Sequence, residues 1–236
     1  MKIRGRRECK ACGTRWSYYE TGAVSCPDCG STHSVGLDDE RALHTATAAT
    51  LDLAPVRGAL DTDPIDRVAA RANDRVREFT RGYGFIEAGR LGELDDTYLA
   101  AMELKHVSAE LNRRIEVSDR EEWYFTELLR ADDGTRPPAD AVPEAMWNAR
   151  GLACADAVRE YRSDMRLYLG ENPAPETTDK LQRLSTHLKR LRALDGDVPP
   201  RESAALVDAA RAIGRYLTDD DDEELAAAGR RLAELG

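Results

Sequence analysis

At 236 residues the chain is long enough for one substantial core plus a small metal-nucleated module. It shows neither a signal peptide nor a long apolar run, which argues against a membrane-spanning protein and leads us to expect a cytoplasmic one, where structural disulfides are rare. The net charge of −10 is uneven: residues 1–36 sum to +3 and the remaining 200 to −13.

Two CxxC knuckles open the chain, Cys9-x-x-Cys12 and Cys26-x-x-Cys29, each followed by glycine (Gly13, Gly30). A CxxC pair sets two thiolates on one tight turn, and two such turns facing each other complete the tetrahedral four-sulfur shell that Zn²⁺ favours. Glycine after the second cysteine suits a backbone that needs positive φ, and Pro27 presets the second turn. Trp16, Tyr18 and Tyr19 before Thr21-Gly22, with Val24 after, predict a short hairpin, to which Lys2–Glu8 could add a strand. Residues 1–36 are therefore expected to form a β-rich ribbon with Cys9, Cys12, Cys26 and Cys29 as metal ligands.

The stretch CKACGTRWSYYETGAVSCPDCGS resembles the N-terminus of a haloarchaeal family of uncharacterised proteins carrying a zinc ribbon of the transcription-factor-B type. Over roughly the first 36 residues the resemblance implies zinc and no known activity; over the helical remainder it is one of general appearance. Abundant aspartate and alanine with only five lysines are likewise similar to haloarchaeal proteins, whose acidic surfaces serve solubility. Cys26-Pro27-Asp28-Cys29-Gly30 also fits the rubredoxin pattern, and a four-sulfur site can hold zinc or iron. Zinc is the expected metal, since nothing else in the chain argues for electron transfer.

Arg4, Arg6, Arg7, Lys10, Arg15 and Trp16 offer cations and an aromatic face, the makings of a nucleic-acid or partner surface. Zn²⁺ with four thiolates is itself a −2 unit, which brings the ribbon to about +1. At molar salt, screening within about 3 Å weakens phosphate-driven binding further. Aromatics in so small a module more commonly cover its core.

Residues 37–60 read as a linker with one short helix near Pro55 and Gly58, and residues 61–236 as an α-helical bundle. Asp63 is expected to cap a helix with Pro64 in its first turn and a stripe of Ile65, Val68, Ala72, Val76 and Phe79, ending at Gly82. A second helix is expected from about Leu94 to Val117, striped by Ala101, Leu104, Val107, Leu111 and Ile115. Ser118 and Glu121 predict a capping box before Trp123, Phe125, Leu128 and Leu129. Asp132–Pro138 marks a break, and the bundle could subdivide near 132–140. A long helix follows over about Val142–Gly170, and Asn172–Pro175 breaks the chain again. Leu181, Leu184, Leu188 and Leu191 form a heptad-like seam suited to bundle packing. After Pro199-Pro200 comes a helix with Leu206, Ala210, Ile213 and Leu217, then a last one capped by Thr218, with Asp219–Glu224 at its positive end. No strand alternation is visible after the ribbon.

Glu103-x-x-His106, with Glu110 one turn on, has the spacing of a di-iron bundle ligand pair, and a rubredoxin-like module beside a bundle resembles a reversed rubrerythrin. No second such pair exists: Leu184 stands where the acid before His187 would be, and His33 and His44 lack one as well. A solvated helix face is therefore expected for Glu103, His106 and Glu110. Cys154 among small residues reads as a buried thiol. Lys180, Arg183, His187, Lys189, Arg190 and Arg192 form a basic island, most simply a solvated face. No catalytic constellation emerges. The expectation is a non-enzymatic zinc-binding adaptor whose ribbon and helical domain contact a protein partner, in the transcription or translation setting where such ribbons occur. A nucleic-acid-binding ribbon and a rubredoxin-like iron redox protein are the alternatives.

Overall fold

The computed structural model describes residues 1–47, 49–114, 116–170 and 175–235. Short strands open it: β1 (Lys2–Ile3), β2 (Arg6–Cys9) and β3 (Arg15–Ser17), then one helical turn, α1 (Tyr18–Thr21), and β4 (Ser34–Gly36). β2 is the centre of an antiparallel sheet ordered β3-β2-β4, with Arg7 opposite both Trp16 and Gly36. The hairpin expected around Thr21-Gly22 is displaced: β2 and β3 form it across the first knuckle, and residues 18–21 wind into a turn closed by left-handed Gly22. Burial explains the difference. Trp16 points inward and donates its indole N–H to the Ala23 carbonyl at 3.0 Å, which folds the following residues back over it.

The stretch after the ribbon holds a strand as well as the expected short helix. β5 (Ala42–Leu43) pairs with β1, and the Met1 ammonium donates to the His44 carbonyl at 2.8 Å. α2 (Ala54–Arg57) follows. α3 (Ile65–Arg81) buries Val68, Ala72, Val76 and Phe79, as its 3.6-residue spacing implies. Pro64 occupies the cap position, while Asp63 pairs with Arg71 at 2.7 Å.

β6 (Ile86–Glu87) and β7 (Arg90–Leu91) then form a hairpin through Ala88 and Gly89, both at positive φ (49° and 83°), as primed two-residue turns require. This corrects the expectation of no strand beyond the ribbon. Two residues per strand are too few to display alternation. β6 receives the ribbon side of the chain, because the Thr45 and Ala46 amides both donate to the Ile86 carbonyl.

α4 (Asp96–Leu111) is capped by Asp95, whose carboxylate accepts from the Tyr98 amide at 2.7 Å. It ends six residues before the expected Val117, and Ile115 lies outside the described residues. Before α5 (Asp119–Leu128), Ser118 and Glu121 form the expected reciprocal box, with amide bonds of 2.8 and 3.4 Å. Tyr124 rather than Trp123 takes the buried position there.

Three 3-10 turns cross residues 131–146 before α6 (Trp147–Leu169), which starts later than expected at the end of those turns. α7 (Pro175–Ala193), α8 (Pro200–Asp219) and α9 (Asp222–Glu234) complete the chain; the Asn172–Ala174 part of the expected break lies outside the described residues. Asp221, not Thr218, caps α9, accepting from the Glu223 amide at 2.9 Å. The Thr218 hydroxyl instead donates to the Arg215 carbonyl inside α8.

The fold is mainly α with a small β-rich N-terminal region. α6 is the central helix, packed by α4, α7 and α8. It passes the α7–α8 loop so closely that a Cβ at Gly151 would lie 2.1 Å from the Gly196 carbonyl oxygen. The Leu181–Leu191 seam is buried within the bundle. One apolar cluster runs from Leu53 to Leu235, and a separate small one comprises Cys9, Trp16 and Cys26. No described helix is long and apolar enough to cross a membrane.

Candidate metal centre

The two knuckles adopt the same local geometry. In each, the amide of the following glycine donates to the carbonyl of the first cysteine at 3.0 Å (Gly13 to Cys9, Gly30 to Cys26). The first cysteine's own amide donates onward at 2.9 Å, Cys9 to Thr14 and Cys26 to Ser31. Gly13 and Gly30 sit at φ of 80° and 70°, the conformation for which glycine was expected. β2 delivers Cys9 at its end and β3 leaves after Cys12, so the sheet positions the first knuckle against the second.

The four sulfur atoms lie within 4.8 Å of one another. Cys9 Sγ to Cys29 Sγ and Cys12 Sγ to Cys26 Sγ are each 3.6 Å, close to the edge of about 3.8 Å for a tetrahedron with 2.3 Å zinc–sulfur bonds. Cys9 and Cys26 are buried, Cys12 and Cys29 exposed, and all four are free thiols. The donor set therefore fits a metal ion. Among the described residues it is the only group of three or more His, Cys, Asp or Glu side chains gathered in this way.

The electrostatics make the same point. The Thr14 hydroxyl, 3.2 Å from Cys12 Sγ, and then the Thr14 amide hold the Cys12 thiol down at about 6. The Cys12 amide and, after the opposing effect of burial, the Ala11 amide lower Cys9. Cys29 goes the other way: against the Ser31 amide, which lowers it, the Cys12 and Cys9 sulfurs push it up to about 12. Neighbouring thiolates resist ionising together, and a divalent cation is what lets all four do so.

The basic residues expected to form a surface around this centre are mostly engaged. Arg6 pairs with Asp38 at 2.5 Å, and Arg15 and Lys10 pair with Glu8 at 2.8 and 3.6 Å. Arg7 donates to the Ser34 hydroxyl and Arg4 to the Asp39 carbonyl. These cations stay at the surface, but Trp16 does not: it is a core residue of the ribbon, unavailable for stacking. The ribbon's exposed large apolar residues are Met1, Val24 and Val35, with Leu37 just beyond it.

Glu103 corrects the sequence reading. Expected on a solvated face, it is fully buried. Arg150 Nη1 donates to its two oxygens at 2.5 and 2.6 Å, Arg136 Nε at 3.0 Å, and the Tyr124 hydroxyl also donates to it. Arg136 reaches Cys154 Sγ at 3.2 Å, so the thiol expected to be buried has a guanidinium neighbour. Burial and then the Glu103 charge raise Tyr124 well above its ordinary value, so it stays a neutral donor. His106 instead faces Asp156 at 3.1 Å, and Glu110 pairs with Arg113 and Arg114. The three side chains of the apparent ligand motif thus diverge to separate partners. Nothing in the local pattern around Glu103 signals Arg136 or Arg150; only an acid in the midst of an apolar stripe hints at burial.

The basic island on α7 is partly neutralised: Arg190 pairs with Glu202, Arg192 with Asp156 and Lys180 with Asp179. Burial, followed by Arg190, lowers His187.

A family model described as a family of unknown function (DUF7117) matches residues 1–232, and the chain belongs to that family. No curated protein and no solved structure matches it.

Proposed function

We propose that this DUF7117 member is a non-enzymatic zinc protein, in which one structural Zn²⁺ on Cys9, Cys12, Cys26 and Cys29 organises a ribbon that contacts a protein partner. The observation that carries the proposal is the four-sulfur cluster, which uses every position of a tetrahedral ion and leaves none for substrate or water. The metal's contribution is then folding energy rather than Lewis acidity. Met1, Val24 and Val35 support contact by the ribbon, since so small a module exposes three large apolar side chains, with Leu37 beside them at the start of the connecting segment. A haloarchaeal origin, a cytoplasmic setting and a transcription- or translation-associated role belong to the same proposal: the first is supported by the resemblance of the knuckles and by composition, the second by the sequence's lack of a signal-peptide pattern or long apolar run, and the third by the resemblance of the knuckles alone.

Division into a ribbon of residues 1–36, a connecting segment 37–60 and a helical domain 61–236 is also part of it. The separate apolar cluster of Cys9, Trp16 and Cys26 supports that division. Cobalt substitution tests the closed shell. The Co²⁺ protein is expected to show an intense tetrathiolate spectrum that added cyanide or imidazole leaves unchanged. A spectrum that shifts with either ligand would reveal an open coordination position and remove the structural assignment.

A further inference from the structure

A groove of about 660 Å³ runs between α6 and α7, well within the range of small-ligand sites. Arg159, Arg162 and Arg166 enter it from one face of α6, at helical spacings of three and four residues; Thr178 and Gln182 border it from α7. Among the described residues no acidic side chain lines it, in a chain of net charge −10. Arg159 is already paired with Asp156 and Glu160. Arg162 and Arg166 have no carboxylate within ion-pair distance among the described residues. Arg162 is half-buried and anchored by its Nε, which donates to the Leu181 carbonyl at 2.8 Å, leaving its terminal nitrogens for another acceptor.

Arg162 is also unlike the other arginines whose titration is displaced. Arg6, Arg57, Arg136, Arg150, Arg159 and Arg215 are raised by carboxylates, whereas burial and then Arg166 lower Arg162. Two neighbouring guanidiniums with no counter-charge among the described residues form a site that an anion would relieve. Leu167, about half exposed, Leu169 and Leu181 add an apolar wall beside the cations.

We propose that this groove binds a phosphate-bearing small molecule, with its phosphates on Arg162 and Arg166 and its apolar or aromatic portion against the leucines. Guanidinium forks suit phosphate oxygens, and the mixed lining matches a ligand such as a nucleotide better than a bare ion. The assignment is independent of the ribbon's metal.

Calorimetric titration of the full-length protein at low salt tests it, with ATP, inorganic pyrophosphate, adenosine and a short single-stranded oligonucleotide as probes. ATP is expected to saturate one site per chain, more tightly than pyrophosphate, and adenosine not to bind. Arg166→Ala, at an exposed position, is expected to weaken ATP binding about tenfold or more, the usual worth of a charge-assisted hydrogen bond. Arg162→Ala is expected to do the same with an unchanged far-UV spectrum. A phosphodiester source would show as tighter binding of the oligonucleotide that is equally sensitive to Arg166→Ala. Three results would overturn the assignment: no saturable binding of any phosphate probe, binding that survives Arg166→Ala, or an equal loss in a Lys105→Ala control outside the groove.

Discussion

Glu103 is held by three side chains that lie 21, 33 and 47 residues away along the chain: Tyr124, Arg136 and Arg150. A carboxylate taken wholly out of water is tolerable only when charge and hydrogen bonding replace its hydration, and here two guanidiniums and a phenol do so. Glu103, Tyr124 and Arg150 are buried and Arg136 nearly so, and the cluster ties α4, α5, α6 and the segment before α6 together. Glu103→Gln keeps the shape and removes the charge, leaving two buried guanidiniums uncompensated. It is expected to lower stability by about 3–5 kcal/mol in urea unfolding. A variant within about 0.5 kcal/mol of wild type would show that the ion cluster is not what secures this part of the core. The cysteine ligands were legible in the sequence because their geometry is written within four residues of chain. Glu103 was not, because its partners converge only in the folded state.

Between elements, Asp156 does comparable work at the surface of the bundle. From α6 it meets His106 of α4 at 3.1 Å, Arg192 of α7, and Arg159 of its own helix. Burial would raise its carboxyl, but the hydrogen bonds from His106 and then Arg192 hold it at about 2. An unfolded aspartate titrates near 3.9, so the folded value is the lower one. The resulting stability is present above about pH 4 and is lost as pH falls from 4 toward 2. Because the side chain is partly solvated, its worth is on the order of 1 kcal/mol. Asp156→Asn is expected to flatten the acid limb of a stability-against-pH curve in that window; an unaltered limb would show that the three-helix junction does not depend on this charge.

The helices themselves were legible where one face is wet, as in α3, and where a cap is local, as at Ser118 and Glu121. In α4 the stripe of Ala101, Leu104, Val107 and Leu111 is legible, but not that every residue from Tyr98 to Leu104 is buried, since the helix is covered on more than one face. The β6–β7 hairpin escaped notice because its strands are too short to alternate. β5 did so because its pairing with β1 spans some forty residues.

Across the whole molecule, the ribbon and the helical body have separate apolar cores yet are joined by specific bonds. β1 pairs with β5, the Leu43 carbonyl accepts from Gly89 N–H at 2.7 Å, and the Thr45 hydroxyl donates to Asp164 at 2.6 Å. Tyr19 and His44 add a ring contact with centroids 4.8 Å apart. A metal that orders the first knuckle therefore also positions the strand through which the ribbon meets the bundle. The family match runs through both parts, so they occur together in one chain.

That construction depends on what the four cysteines hold, and elemental analysis of protein purified without added metal tests it most directly. One zinc per chain in a colourless protein is the expected result. Stoichiometric iron with a visible absorption spectrum, or a metal-free protein whose ribbon is nonetheless folded, would contradict it.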